Sequence, residues 1–235
     1  MAHAAQRGPK QWKEIESMQH TPPPGAFPQY RIIGLVGRAG AGKDTCADIL
    51  VKTRGFARLA FADALRDEVV AAFSVDIAPF ADRVLKERPT PALQIRRSAD
   101  EEFIARAKAL GYDLWAQRSP REIMRLWGTE YRRQVTADNY WLERANDRVN
   151  ALLASGIRRI CFTDVRYANE AAYVTESLRG DLWRIRRRSA DSRHAIHSSE
   201  SDLERIQCKE VIHNELGLQE LALEAQAALV RHVLE

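Results

Sequence analysis

Ile32-Ile33-Gly34-Leu35-Val36-Gly37-Arg38-Ala39-Gly40-Ala41-Gly42-Lys43-Asp44-Thr45 is the stretch that decides how this chain reads. Ile32, Ile33, Leu35 and Val36 form a short apolar run bounded by glycines, the pattern of a strand buried on both faces of a parallel sheet. Gly37 to Lys43 then match G-x-x-x-x-G-K, and a helix is expected from about Lys43 to Lys52. In such a loop the glycines let successive backbone N–H groups point at phosphate oxygens. Lys43 neutralises the outer phosphates, and the positive end of the helix adds to the field. A strand before the loop and a helix after it are the context this motif requires.

One departure stands out. A hydroxyl residue usually follows the lysine and ligates Mg²⁺, but Asp44 stands there and Thr45 comes one place later. Asp44 serves magnesium through water, with Thr45 on a phosphate oxygen, or else it caps the helix.

Outward from the cradle, strand and helix patterns alternate. Phe56–Phe61, Arg159–Val165, Leu182–Arg186 and Val211–His213 read as strands. Asp63 can cap a helix carrying Leu65, Val69, Val70 and Phe73, and Ala168–Leu178 and Leu218–Leu234 read as further helices. The alternation predicts an α/β fold with a parallel sheet covered on both faces. Residues 1–29, with Gly8-Pro9 and Thr21-Pro22-Pro23-Pro24-Gly25, read as a flexible tail, and 30–235 as one kinase-type domain. Residues 76–118, with Pro79, Pro89 and Pro91, break the rhythm, and a substrate-binding insertion is expected over about 76–135.

Ser119-Pro120-Arg121-Glu122 is a helix start with a serine cap, a first-turn proline and a glutamate closing the box. At about 100° per residue, Ile123, Leu126, Trp127 and Tyr131 share one side of that helix. Arg121, Arg125, Gly128, Thr129 and Arg132 share the other. This face binds a second phosphate-bearing ligand, or it is an ordinary exposed basic face. Asp164 and Arg166 end a strand, where ligands of open parallel sheets gather. Asp164 holds magnesium water, orients an acceptor, or caps the next helix. Trp141 stacks on a base or belongs to the core. The basic stretch with Arg184, Arg186, Arg187, Arg188 and Arg193 reads as a lid over about 187–204 whose arginines fold onto phosphates, or as solvent-facing charge. His194 and His197 lack metal-ligand spacing, so no zinc site is expected.

Bulk properties narrow the classes. The 235 residues are 45% hydrophobic and 29% charged, enough for a core. No apolar run approaches the roughly 18–20 residues of a bilayer span, so no membrane association is expected. Three widely separated cysteines point to a reducing cytoplasm. The net charge of +4 is small and uneven, with arginines crowding residues 118–133 and 184–193; it supports anion binding, and without aromatic–basic interleaving or a lone basic stripe no stable nucleic-acid binding is expected.

Taken in order, Gly42-Lys43-Asp44-Thr45, Phe61-Ala62-Asp63-Ala64-Leu65-Arg66, Lys86-Glu87, Ser119–Glu122 with Gly128-Thr129-Glu130, Trp141, Asp164-Val165-Arg166 with Asn169-Glu170-Ala171, Ile185-Arg186, His197-x-Ser199-Glu200 and Ile212-His213-Asn214 resemble the deoxynucleoside monophosphate kinases known mainly from bacteriophages. The resemblance spans about residues 31–222. It implies a P-loop NTPase fold with a five-stranded parallel sheet flanked by helices, a helical substrate-binding insertion and a lid. It also implies direct in-line transfer of the ATP γ-phosphate, with Mg²⁺, to a deoxynucleoside monophosphate. Gly37, Arg38, Ala39, Gly40, Ala41, Gly42, Lys43, Asp44 and Thr45 would then hold ATP, helped by Arg186 and Arg187. Arg66, Lys86, Arg132, Trp141, Asp164, Arg166 and Glu170 would bind the acceptor, beside the face of Arg121, Arg125, Gly128 and Thr129. A homodimer follows from the family's habit, and a host-cytoplasmic location if the gene is a phage's. The nearest rival is a kinase of another small phosphorylated acceptor, such as phosphomevalonate or a coenzyme A precursor. A nucleic-acid-linked NTPase is a more distant one.

Overall fold

The computed structural model describes residues 31–82, 84–191 and 203–231. The expected tail, and most of the expected lid with Arg193, His194 and His197, lie outside them. The chain divides into two compact units, Met1–Arg58 with Ile157–Glu235, and Leu59–Gly156. The expected insertion at 76–135 falls wholly inside the second.

The first unit is built on the sheet. Strand β1 (Arg31–Val36) runs into a glycine-rich loop and helix α1 (Lys43–Arg54), and β2 (Ala57–Leu59) follows. After the second unit come β3 (Arg159–Val165), β4 (Asp181–Arg186) and β5 (Glu210–His213). The sheet order is β2-β3-β1-β4-β5, and β1 pairs in parallel with both β3 and β4. Central β1 is buried from Ile32 to Val36 because both sheet faces are covered. Ile33, Leu35, Cys161, Trp183 and Ile185 meet Leu50 of α1 and Leu221 and Ala225 of a closing helix, Leu218–Arg231, in one core. This is the five-stranded parallel α/β architecture of P-loop proteins.

The β1–β3 pairing contains an irregularity. Gly34 faces Phe162, yet Val36 faces Val165, so β3 carries one extra residue there. Val165 is thereby buried, and Asp164 sits half-buried beside it at the strand end.

The second unit packs α2 (Ala62–Phe73), α3 (Glu101–Ala109), α4 (Pro120–Arg125) and α5 (Tyr140–Ala154) around Phe73, Phe103, Ile123, Trp127 and Tyr131. Asp100 caps α3 by accepting the Phe103 N–H at 2.8 Å. At the start of α4, Ser119 and Glu122 form the reciprocal box that their spacing predicts, with bonds of 3.2 and 2.8 Å. The helix that starts at Pro120 is not regular throughout: it widens from Leu126 to Thr136. There the backbone bonds lengthen to five residues, as in Ala137 N–H to Arg132 O at 3.1 Å. Among the described residues, no helix is long and apolar enough to cross a membrane.

Candidate functional site

The loop between β1 and α1 has the form of a phosphate cradle. Its turn is closed by the Ala41 N–H on Arg38 O at 3.1 Å, and α1 begins with the Cys46 N–H on Gly42 O at 2.9 Å. Gly42 precedes the helix with φ 105°, a conformation that L side chains rarely adopt. Gly37 has φ 153°, and a Cβ there would overlap the Ile185 carbonyl oxygen of β4. Asn214, just past β5, donates its side-chain N–H to Ala41 O at 2.9 Å, and a Cβ on Gly42 would strike that same amide. These contacts fix the shape of the glycine-rich loop of the first unit.

Lys43 is 9% exposed and arches back over the loop. Its Nζ donates to Gly37 O at 2.6 Å and Arg38 O at 3.1 Å, which holds the ammonium at the loop's mouth. Lys43 opens α1, so the positive end of the helix dipole adds to its charge at this end of the loop.

Asp44 lies within the first turn of α1, while the capping position is Gly42 and makes no side-chain bond. The carboxylate is 76% exposed and pairs with Arg58, which also reaches Asp48 at 3.0 Å. Thr45 is exposed beside it. Among the described residues no three His, Cys, Asp or Glu side chains gather as a metal site. A cation here would be held mainly by phosphate oxygens and water, which is the ordinary habit of magnesium.

Strand β3 ends on the same sheet edge as the loop, because Val36 faces Val165. Arg166 is exposed. Glu170 is 3% exposed, and its carboxylate accepts the Arg166 N–H at 2.8 Å and the Tyr167 N–H at 3.2 Å. It therefore closes the turn after β3 and starts the helix at Ala168. That contact does the work of a cap.

At the end of β4 the arginines divide. Arg186 and Arg187 are exposed. Arg184, expected in the basic lid, is 8% exposed within the strand. It donates to Leu203 O at 2.8 Å and Ile206 O at 2.6 Å, so it ties the chain after the undescribed segment back onto the sheet. A single carboxylate, Glu204, lies within 3.5 Å of Arg38, 3.4 Å of Arg184 and 3.3 Å of Arg186.

The arginine face of the second unit is not bare. Arg121 pairs with Glu87 at 2.7 Å. Arg125 pairs with Glu130 and reaches the Tyr112 hydroxyl at 3.3 Å. Arg66 pairs with Asp63 at 2.8 Å, and Lys86 is half-buried in the turn Leu85–Glu87. Arg132 bonds Glu68 at 2.8 Å, lies 3.5 Å from Asp100, and stacks over Tyr131 and Tyr140 at 4.4 and 5.3 Å. Glu68 also accepts the Trp127 indole N–H at 2.9 Å and the Tyr140 hydroxyl.

Burial, followed by the bond to Glu68, pushes the Tyr140 phenol up to about 12. Burial likewise raises Tyr131 above the ordinary tyrosine value. Gly128, expected to leave room for a ligand, is buried, and a Cβ there would come 3.0 Å from Leu65. Thr129 is half-buried. Trp141 is 4% exposed and donates its indole N–H to Gly128 O at 3.0 Å, so it packs in the core.

Sequence reasoning assigned no role to Glu68, Tyr140, Asn214 or Glu204. Asn214 lies in a quoted motif, whereas a lone acidic residue in a helix such as Glu68 gives no pattern to detect.

No protein-family profile and no curated protein matches the chain. Among solved structures, the protein TT1252 from Thermus thermophilus is 16% identical, covers 86% of this chain and 97% of its own, and has a TM-score of 0.40. A sugar kinase from Janibacter sp. HTCC2649 is 15% identical over 86% of this chain and 93% of its own, with a TM-score of 0.39. A dephospho-CoA kinase from Campylobacter jejuni is 10% identical over 86% and 97%, with a TM-score of 0.40. Similarities of that size leave the function to be argued from the chain's own residues.

Proposed function

We propose that this chain is an ATP-dependent phosphotransferase that passes the γ-phosphate to a deoxynucleoside monophosphate. The observation that carries the reading is the cradle itself: Gly37 to Gly42 shaped for phosphate, with Lys43 held across its mouth by two loop carbonyls. The ordered series of motifs resembling that kinase family supplies the acceptor.

In this reading the acceptor attacks through a phosphate oxygen, which is largely ionised at neutral pH because the second pKa of a phosphate monoester is about 6. A bond forms from that oxygen to the γ-phosphorus, the bond from the γ-phosphorus to the β-bridging oxygen breaks, and ADP leaves. No general base is needed, so positioning and charge neutralisation do the catalysis. Lys43 and the loop amides stabilise charge on the transferring group and on ADP. Asp44 would hold magnesium through water, and the ion would supply neutralisation of the charge on the transferring phosphates. Asp164 orients reactants at the end of β3, with Arg166 beside it.

The second unit is assigned acceptor recognition. Arg121 and Arg125, whose side chains are exposed, are its best candidates; the exposed pair of Arg121 with Glu87 is worth about 0–1 kcal/mol and exchanges readily for phosphate oxygens. Arg132, Gly128 and Trp141, engaged by neighbours, support that surface from behind.

The test is a panel of acceptors with ATP and coupled detection of ADP. It contains all natural deoxy- and ribonucleoside monophosphates, 5-substituted dCMP, phosphomevalonate and dephospho-CoA. Turnover of a deoxynucleoside monophosphate is expected. Turnover of a non-nucleotide acceptor alone would transfer the chain to the rival class.

A further inference from the structure

Beside the phosphate loop lies a small pocket lined by Gly37, Arg38, Ile185, Arg186 and Glu204. Among the described residues, three guanidinium groups converge there on the Glu204 carboxylate. The three contacts differ in kind. Arg184 is buried and already fixed by two short bonds to Leu203 O and Ile206 O. Arg38 and Arg186 reach Glu204 only through single contacts of 3.5 and 3.3 Å, and the carboxylate is 47% exposed. Contacts of that length, open to water, are weak and exchangeable. Arg38 belongs to the phosphate loop, and Arg186 follows Ile185, whose carbonyl lies against Gly37.

We infer that Glu204 is a positioning residue of the donor site: it holds Arg38 and Arg186 at the pocket as an internal counter-anion and yields them to the polyphosphate of an incoming nucleotide. This rests on the reading of the loop as the donor site and goes beyond it by naming what sets the donor's affinity. The internal carboxylate keeps the arginines gathered, and every contact it makes with them must be given up when phosphate replaces it. Donor affinity is therefore lower than the cradle alone would provide.

The experiment is calorimetric titration of the full chain with ADP, comparing wild type, Glu204→Gln and Glu204→Asp. Loss of two partly exposed ion-pair contacts worth about 0.2–1 kcal/mol each should tighten ADP binding about two- to thirtyfold in Glu204→Gln. Glu204→Asp, which withdraws the carboxylate while keeping its charge beside Arg184, should shift the same way by less. That milder variant also serves if Glu204→Gln fails to fold. In an Arg38→Ala background the gain from Glu204→Gln should shrink, because one of the competing contacts is already gone. Unchanged or weaker ADP binding in the Glu204 variants, with wild type binding normally, overturns the inference alone. Absence of ADP binding by wild type, or binding indifferent to Lys43→Ala, overturns the donor-site reading as well.

Discussion

The side-chain amide of Asn214 holds the carbonyl of Ala41 at 2.9 Å, linking the residue just past β5 to the fifth position of the phosphate loop. Both partners are buried, so the bond is a fixed strut between the far edge of the sheet and the cradle. Asn214→Ala leaves the Ala41 carbonyl without this donor and should cost about 1–3 kcal/mol of stability. It should also weaken ADP binding, because the loop loses its outer support. Urea melts and ADP titration measure the two effects, and a variant with wild-type loop affinity would show that the strut does not shape the cradle.

Lys43→Ala should lower turnover by about 10²-fold or more, the scale on which a single transition-state charge stabiliser acts. Circular dichroism should report an intact fold, since Lys43 donates to Gly37 O and Arg38 O within its own loop. Near-normal turnover with a cooperative melt would remove the lysine from the chemistry.

Arg132→Ala should destabilise the second unit by about 2 kcal/mol, within the range for hydrogen bonds to charged groups. Glu68 and Asp100 would lose their shared cation, and Tyr131 and Tyr140 the guanidinium stacked over them. Arg121→Ala, whose ion pair with Glu87 is exposed, should change stability by less than about 1 kcal/mol while raising the acceptor KM. Equal stability losses in the two variants would contradict the division between supporting and contacting arginines.

The Tyr140 phenol has a folded pKa of about 12, against about 10 for an unhindered tyrosine. The unfolded chain therefore releases this proton first as pH rises. Stability contributed by the neutral phenol is complete below about pH 10 and is lost as pH climbs from there through about 12. Urea midpoints of wild type should fall over that window more steeply than those of Tyr140→Phe. Parallel curves would place the alkaline loss on other groups.

Burial pushes the Cys46 thiol up to about 12 and the fully enclosed Cys161 thiol also well above its usual value. At pH 8 both should resist a thiol-directed reagent in the folded chain and react only on unfolding. Fast labelling of either in native conditions would mean that the core between α1 and β3 opens readily.

The sheet and its loop were legible because each signal is local. The apolar run before Gly37, the G-x-x-x-x-G-K spacing and the Ser119–Glu122 box are encoded within a few consecutive residues, and each took the predicted form. Arg159–Val165 formed a strand over those same residues. What escaped depends on partners distant in sequence. Glu68 meets Arg132 and Tyr140, more than sixty residues away, and no periodicity marks such a hub. Arg184 looked like one more cation of a basic stretch because nothing local announces that Leu203 O and Ile206 O will receive it. Gly128 looked open on a helical projection, yet Leu65 from another helix fills the space. The widening after Arg125 also rotates Arg132 away from the position an even helix would give it.

The extra residue in β3 between Phe162 and Val165 decides which side chain the sheet's rim displays. Strand side chains alternate, so one inserted residue exchanges the inner and outer sets beyond it. Were the same residues paired without the irregularity, the position opposite Val36 would fall to Asp164, and an acid would stand where the buried Val165 now lies. The spacing between Phe162 and Asp164 is thus as much a part of the inherited design as the acid itself.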